Sequence, residues 1–233
     1  MSRKSQLLIL VCLLFGSMNL SAQSFYKEKQ SRDNIFSIGV GPAMAYMDNG
    51  GQYSTFHFEV KPSVTASLIK RLNDRFDLRA SAGMQWISSG GNPTPNITGL
   101  WFEKHSAFTV SGPVYYFDLM PSMYVVPFGN HMNRSLFNFY GGVGLGVMHA
   151  STEQTKTFDR DEIPTHHTIT TGYVPIRAGL SYSIGPFSDI ALEGSLMMTF
   201  TDNLDGNVDF NRFGDHLGQA QVVYRRYFFS NKD

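Results

Sequence analysis

The chain has 233 residues, of which 42% are hydrophobic, 14% aromatic and only 16% charged, with 22 glycines and 19 basic against 19 acidic side chains. Soluble domains average about 25% charged residues, so this balance excludes a disordered or acidic-tail protein and a nucleic-acid binder acting through bulk charge. The single cysteine excludes a disulfide scaffold and a cysteine zinc site.

Residues 1–22 read as a cleaved export signal: Arg3 and Lys4 are basic, Leu7 to Phe15 form an apolar run too short to span a bilayer, and Leu20-Ser21-Ala22 supplies the small residues before a cut. Cleavage removes Cys12 and leaves a mature chain that relies on packing and hydrogen bonding. Residues 23–33 form a polar arm, 34–229 one domain, and 230–233 a short tail.

From residue 34 the apolar pattern has a period of two, the signature of strands with two different faces. Eight strands are predicted at about 34–47, 56–70, 76–88, 107–128, 136–150, 169–184, 189–201 and 216–229. In the fourth, Gly112-Pro113 suggests a bulge that shifts parity. In the eighth, Arg226 falls on the otherwise apolar face. Short connections carrying Asn73-Asp74, Gly129-Asn130 and Gly185-Pro186 alternate with long polar ones at 48–55, 89–106, 151–168 and 202–215. An even strand count with tight turns at one end and long loops at the other predicts an all-β, eight-stranded antiparallel up-and-down transmembrane barrel in the outer membrane, with both termini in the periplasm.

A soluble barrel with a ligand cavity is the competing solution. The two faces decide between them. One face carries Glu59, Lys61, Asp77, Arg79, Asp118, Arg177, Glu193 and Arg225 among small residues, an even mixture that can neutralise itself inside a narrow lumen. The other face is apolar and banded. Phe36, Phe76, Phe137, Phe139 and Phe228 fall near the short-turn end, and Tyr46, Phe56, Trp86 and Phe200 near the long-loop end, as two girdles at the membrane–water interfaces. Eight strands enclose a space that side chains just fill, so a plugged lumen rather than a porin channel is expected.

The signal ending Ser21-Ala22-Gln23, the Gly-x-Gly strand at 141–146 and the Thr201-Asp202-Asn203-Leu204-Asp205 segment resemble those of small outer-membrane β-barrel proteins of the Bacteroidota, a group similar to the OmpA-type barrel. One branch of that group supplies a barrel component of the type IX secretion machinery that anchors periplasmic ring proteins. The resemblance implies a structural or docking barrel with periplasmic or secretion-complex partners, surrounded by outer-membrane lipid. Trp101 and Phe102, in the long loop from Asn92 to His105, are the candidate interaction surface.

Sharper chemistries are also suggested by some of these residues. Gly141 to Gly146 is no dinucleotide loop, because its glycines lie within a strand and open no helix, and no cofactor is expected. His149 and Ser151 share the apolar face, and with Glu162 they resemble the active site of the outer-membrane lipid A deacylase, in which histidine is the base, serine the nucleophile and the acid the orienting group. That enzyme and a loop-borne adhesin or ligand binder are the alternatives to the non-enzymatic reading. The loop with Asp159, Asp161, Glu162, His166 and His167 offers metal-ligand types, but adjacent histidines on an extended chain point to opposite sides. Asp202, Asp205, Asp209 and Asp215 are Ca²⁺-ligand types without the EF-hand spacing. No metal is expected.

Overall fold

Alternation of small or polar with large apolar residues makes every strand of this chain two-faced, and closing the sheet on itself buries one face. The computed structural model describes residues 33–48, 58–90, 103, 109–127, 135–155, 164–206 and 214–228. The signal segment, the 23–32 part of the arm, Trp101, Phe102, Phe56, Glu162, Asp209 and the 230–233 tail lie outside them.

The strands are β1 (Asn34–Tyr46), β2 (Lys61–Arg71), β3 (Phe76–Ser89), β4 (Thr109–Tyr124), β5 (Phe137–Val143), β6 (Leu145–Thr155), β7 (Thr165–Gly185), β8 (Ser188–Thr199) and β9 (His216–Phe228). All pairings are antiparallel: β1–β2, β2–β3, β3–β4, β4 with both β5 and β6, both of these with β7, then β7–β8, β8–β9 and β9 back to β1. The sheet is a closed ring of eight, because β5 and β6 are two halves of one strand.

The expected single strand at 136–150 is interrupted at Gly144, and its neighbour explains why. Gly144 donates its N–H to the carbonyl of Pro175 at 3.0 Å, but proline has no N–H to return. Register is unchanged across the gap, Val143 facing Ile176 and Gly146 facing Tyr173. The parity shift expected at Gly112-Pro113 does not occur. The ladder to β6 lapses there, yet Ser111 faces Glu153 and Val114 faces Ala150 in one register. The irregularity sits instead between Ser183 and Gly185 in the β7–β8 turn. Two boundaries also move: β2 begins at Lys61 rather than 56, and β7 begins at Thr165, four residues earlier than the periodicity suggests.

The described part of the outer wall is apolar along its length. Val40, Leu68, Phe117, Leu145 and Leu192 are each half or more exposed to the surroundings, with values from 51% to 67%. The aromatic side chains assigned to the two interfaces, Phe36, Phe76, Trp86, Phe137, Phe139, Phe200 and Phe228, all stand on this wall, and Tyr46 stacks on His216 there at 4.5 Å. Arg226 also faces outward, at the short-turn edge, where it donates to Ser188 Oγ at 2.9 Å. Register in β9 is therefore as the other residues of that strand imply.

Inside, three tyrosine rings lie across the glycine directly opposite on the next strand: Tyr116 over Gly83, Tyr140 over Gly179 and Tyr173 over Gly146. A Cβ on Gly179 would sit 2.5 Å from the Tyr140 ring, whereas one on the outward Gly194 would meet nothing within 4 Å. Gly179→Val is therefore expected to lower stability by about 1–3 kcal/mol through overpacking, while Gly194→Ala stays near neutral. Urea unfolding of the two variants in detergent micelles, followed by tryptophan fluorescence, checks the contrast.

Candidate functional site

The inward positions stack the lumen in layers. In the middle layer Arg79 of β3 reaches across the barrel to Glu193 of β8, on the opposite side of the ring, with two parallel bonds of 2.6 and 3.0 Å. Two-pronged guanidinium–carboxylate pairs are among the strongest charge-assisted hydrogen bonds. Arg177 of β7 pairs with Asp118 of β4 at 3.1 and 3.3 Å and approaches Glu193 at 3.5 Å. Hydroxyls complete the shell. Ser67 accepts from Arg79, Ser81 and Ser195 accept from Arg177, Tyr140 donates to Glu193 at 2.7 Å and Tyr173 donates to Asp118 at 2.8 Å. All four charged residues are at most 4% exposed. Two cations and two anions neutralise one another in a layer that water does not reach.

The layer at the short-turn end is built on Arg225 of β9. Its guanidinium donates to the Tyr124 hydroxyl and lies 4.7 Å from the Tyr140 ring centre and 5.6 Å from that of Tyr124, within cation–π range. Asp77 is buried nearby, and Asp189 accepts from Tyr227 at 2.5 Å. Sequence reading missed Asp189, because it sits at the start of its strand, second in β8, where alternation has no run behind it. Of the eight charges placed on the inner face, Glu59 and Lys61 do not join either layer. They form their own 3.9 Å pair at the rim, with side chains 38% and 40% exposed, because the barrel wall begins only at Lys61. Removing one partner of a buried ion pair strands the other, at a cost of about 3–5 kcal/mol. Glu193→Gln, which deprives both Arg79 and Arg177, is expected to fall in that range, and Glu59→Gln to leave stability unchanged. Unfolding midpoints in detergent distinguish them.

Toward the long-loop end the filling becomes neutral and then apolar. Gln219 donates to Gln85 at 2.5 Å and to the Tyr116 hydroxyl at 3.1 Å, and Thr65 shares a 2.5 Å bond with that hydroxyl. Above them Met47, Ile87, Val114, Met148, Met197 and Leu217 close around Leu204, which folds in from the segment after β8 and is fully buried. Gln154 holds that segment through the Asp205 carbonyl at 2.8 Å. Gly206, whose φ of 83° lies in the left-handed region, lets the chain turn close over the Gln154 amide.

This fold-back gathers carboxylates. Ligand-type oxygens of Asp48, Asp202 and Asp215 lie within 4.8 Å of one another. Sequence reading named Asp202, Asp205 and Asp215 but not Asp48, which comes from the far end of β1 and joins them only because β1 closes on β9. Burial, then the carboxylates of Asp205, Asp48 and Asp202, push the Asp215 carboxyl well above its ordinary value, opposed by the Leu204 N–H bond at 2.6 Å. The folded state thus holds this proton more tightly than the unfolded chain. Its contribution to stability is complete below the ordinary carboxylate range and declines as pH rises through the folded value. Asp215→Asn keeps the acceptor for Leu204, so it is expected to stabilise the protein at pH 8 and to flatten the decline in unfolding midpoint between pH 5 and pH 8.

The outer wall carries the remaining candidates. His149 and Ser151 both face outward on β6, but His149 Nδ1 bonds Thr170 Oγ1 of β7 at 2.8 Å, and Ser151 faces Thr168. No hydrogen bond joins His149 to Ser151 among the described residues, and the third member, Glu162, lies outside them. His166 points outward to Glu153 at 3.9 Å, while the neighbouring His167 accepts at its carbonyl from Thr152. His166 and His167 are successive residues of β7, so their side chains leave the sheet on opposite sides.

With the ring, its charged filling and its apolar wall established, comparison with solved structures is decisive for the fold. A neisserial surface protein, NspA, superposes with a TM-score of 0.51 at 13% identity, over 86% of this chain and all of that one. The fold is that of an outer-membrane β-barrel. The attachment invasion protein Ail of Yersinia pestis aligns with a TM-score of 0.47 at 12% identity, over 84% of this chain and 98% of its own. A major outer-membrane protein of Thermus thermophilus gives 0.46 at 12% identity, over 84% and 99%. No protein-family model matches the chain, and no curated protein matches it.

Proposed function

We propose that the protein is a non-enzymatic outer-membrane barrel, exported by cleavage of residues 1–22, that serves as a structural or docking element of the cell envelope. The observation that carries this reading is the Arg79–Glu193 pair, which bridges opposite walls and, with Arg177 and Asp118, leaves no aqueous path through the middle layer. A stopped lumen has no transport role, so activity belongs to what the two ends present: loops outward, and turns with the 23–33 arm inward. Partners of the kind found in secretion complexes, as the Bacteroidota resemblance implies, would meet that periplasmic end. The lipid A deacylase alternative draws no support from His149, which makes no hydrogen bond to Ser151 among the described residues.

Three measurements test the proposal. Folded protein in planar bilayers is expected to give no steady conductance, and a stable open channel would overturn the plugged lumen. Expression is expected to leave the mass of lipid A unchanged, whereas loss of an acyl chain that His149→Ala restores would establish the hydrolase. Extraction of native membranes with mild detergent is expected to retain periplasmic proteins on the tagged barrel and to lose them when residues 23–33 are deleted.

A further inference from the structure

The outer wall of a membrane barrel is a solvent-facing surface whose solvent is lipid, and one sector of this wall is not uniform. At the periplasmic edge of β8, β9, β1 and β2 the outward positions include two cations, Lys70 and Arg226, and no acid among the described residues. Lys70 is steered by its bond to Asn34 Oδ1 at 2.9 Å, and Arg226 by Nη1 donating to Ser188 Oγ at 2.9 Å, a bond that engages one of its three guanidinium nitrogens. Only β1 separates the two strands that bear them, a lateral spacing of roughly 10 Å, which two long side chains can close around one phosphate.

Farther up the same strands the wall is hollowed. Val40, Pro42, Leu192, Gly194, Ala220 and Val222 line a predominantly apolar groove of about 450 Å³. Its cause is local: the β1–β9 ladder pairs Val40 with Val222 and Ala43 with Gln219 but lapses at Gly41 and Pro42, where proline offers no N–H, and the side chains beside the lapse are small. From Arg226 to Ala220 is roughly 20 Å along a strand, and the tilt of barrel strands brings that within one leaflet of a ~30 Å hydrocarbon core.

We propose that this sector binds an anionic phospholipid of the periplasmic leaflet, its phosphate held between Arg226 and Lys70 and one acyl chain laid in the groove. The cation pair and the hollow are separate features, and they are a chain length apart on the same strands. The inference rests on the membrane-barrel reading above, and the test separates the two.

Native mass spectrometry of the full-length protein in detergent micelles, titrated with phosphatidylglycerol, phosphatidylcholine or glycerol phosphate, reads the site directly. Phosphatidylglycerol is expected to be retained about fivefold better than phosphatidylcholine, as one well-placed basic contact predicts, and Arg226→Gln or Lys70→Gln is expected to erase most of that preference. Gly194→Leu fills the groove from a position where an added Cβ meets no protein atom within 4 Å, and it is expected to weaken retention of both lipids. Equal retention of the two lipids, indifference to either cation variant, displacement by glycerol phosphate alone, or a groove variant that changes nothing would each overturn the proposal. So would a lipid-free dimer lost in Gly194→Leu, which would make a second copy the occupant. Failure of the underlying reading looks different: a protein that stays folded in buffer without detergent and migrates identically in gels before and after boiling.

Discussion

An inward side chain of an eight-stranded barrel can neither reach bulk water nor leave, so every charge placed there must find its counter-charge within a cylinder about one side chain wide. The Arg79–Glu193 pair meets that constraint across the full width, and the rest of the interior is arranged around it. Arg177 occupies the remaining side of Glu193, Asp118 neutralises Arg177, and Tyr140 and Tyr173 saturate the two carboxylates. Tyrosines can reach this far only because glycines opposite them let the rings lie flat against the wall. The glycines that face these tyrosines are thus a consequence of filling a narrow tube with long polar groups, whereas the phenylalanines stand on the outer wall.

The wall obeys a different rule. Its outward side chains have only hydrocarbon to meet, so polarity is confined to the two edges, where Lys70 and Arg226 mark one and the Tyr46–His216 stack the other. Prolines at 42, 113 and 175 each coincide with a lapse in a ladder, yet none shifts register, because neighbouring pairs on both sides hold the strand in place.

Much of this was legible in the sequence because alternation with a period of two reports face directly, and face is what a barrel selects. The residues Asp77, Arg79, Asp118, Arg177, Glu193 and Arg225 could be put on one side of a sheet by counting alone. Counting could not say which strand lies across from which, so the pairing of Arg79 with Glu193 rather than with Asp77 was out of reach. Strand ends were read least well for the same reason: Glu59 has the right parity but lies beyond the wall, and Asp189 lies within it with no alternating run to announce it. His149 and Ser151 share a strand face as alternation requires, but the partner that engages His149 is Thr170, on a neighbouring strand that local spacing does not see. Asp48 joins Asp202 and Asp215 only through closure of the ring.

That closure has a bearing on assembly. Strand β9 closes the ring between β8 and β1, and it contributes Arg225 to the layer at the short-turn end, Gln221 to Ser63, and Gln219 to Gln85 and Tyr116. Until it arrives, β1 and β8 are open edges and several polar groups in more than one layer wait for a mate. A polypeptide lacking the thirteen residues of β9 would be a curled ribbon with two open seams and an unquenched interior. Closure of the ring is for this reason a single event, in which two ladders and several lumen bonds form together.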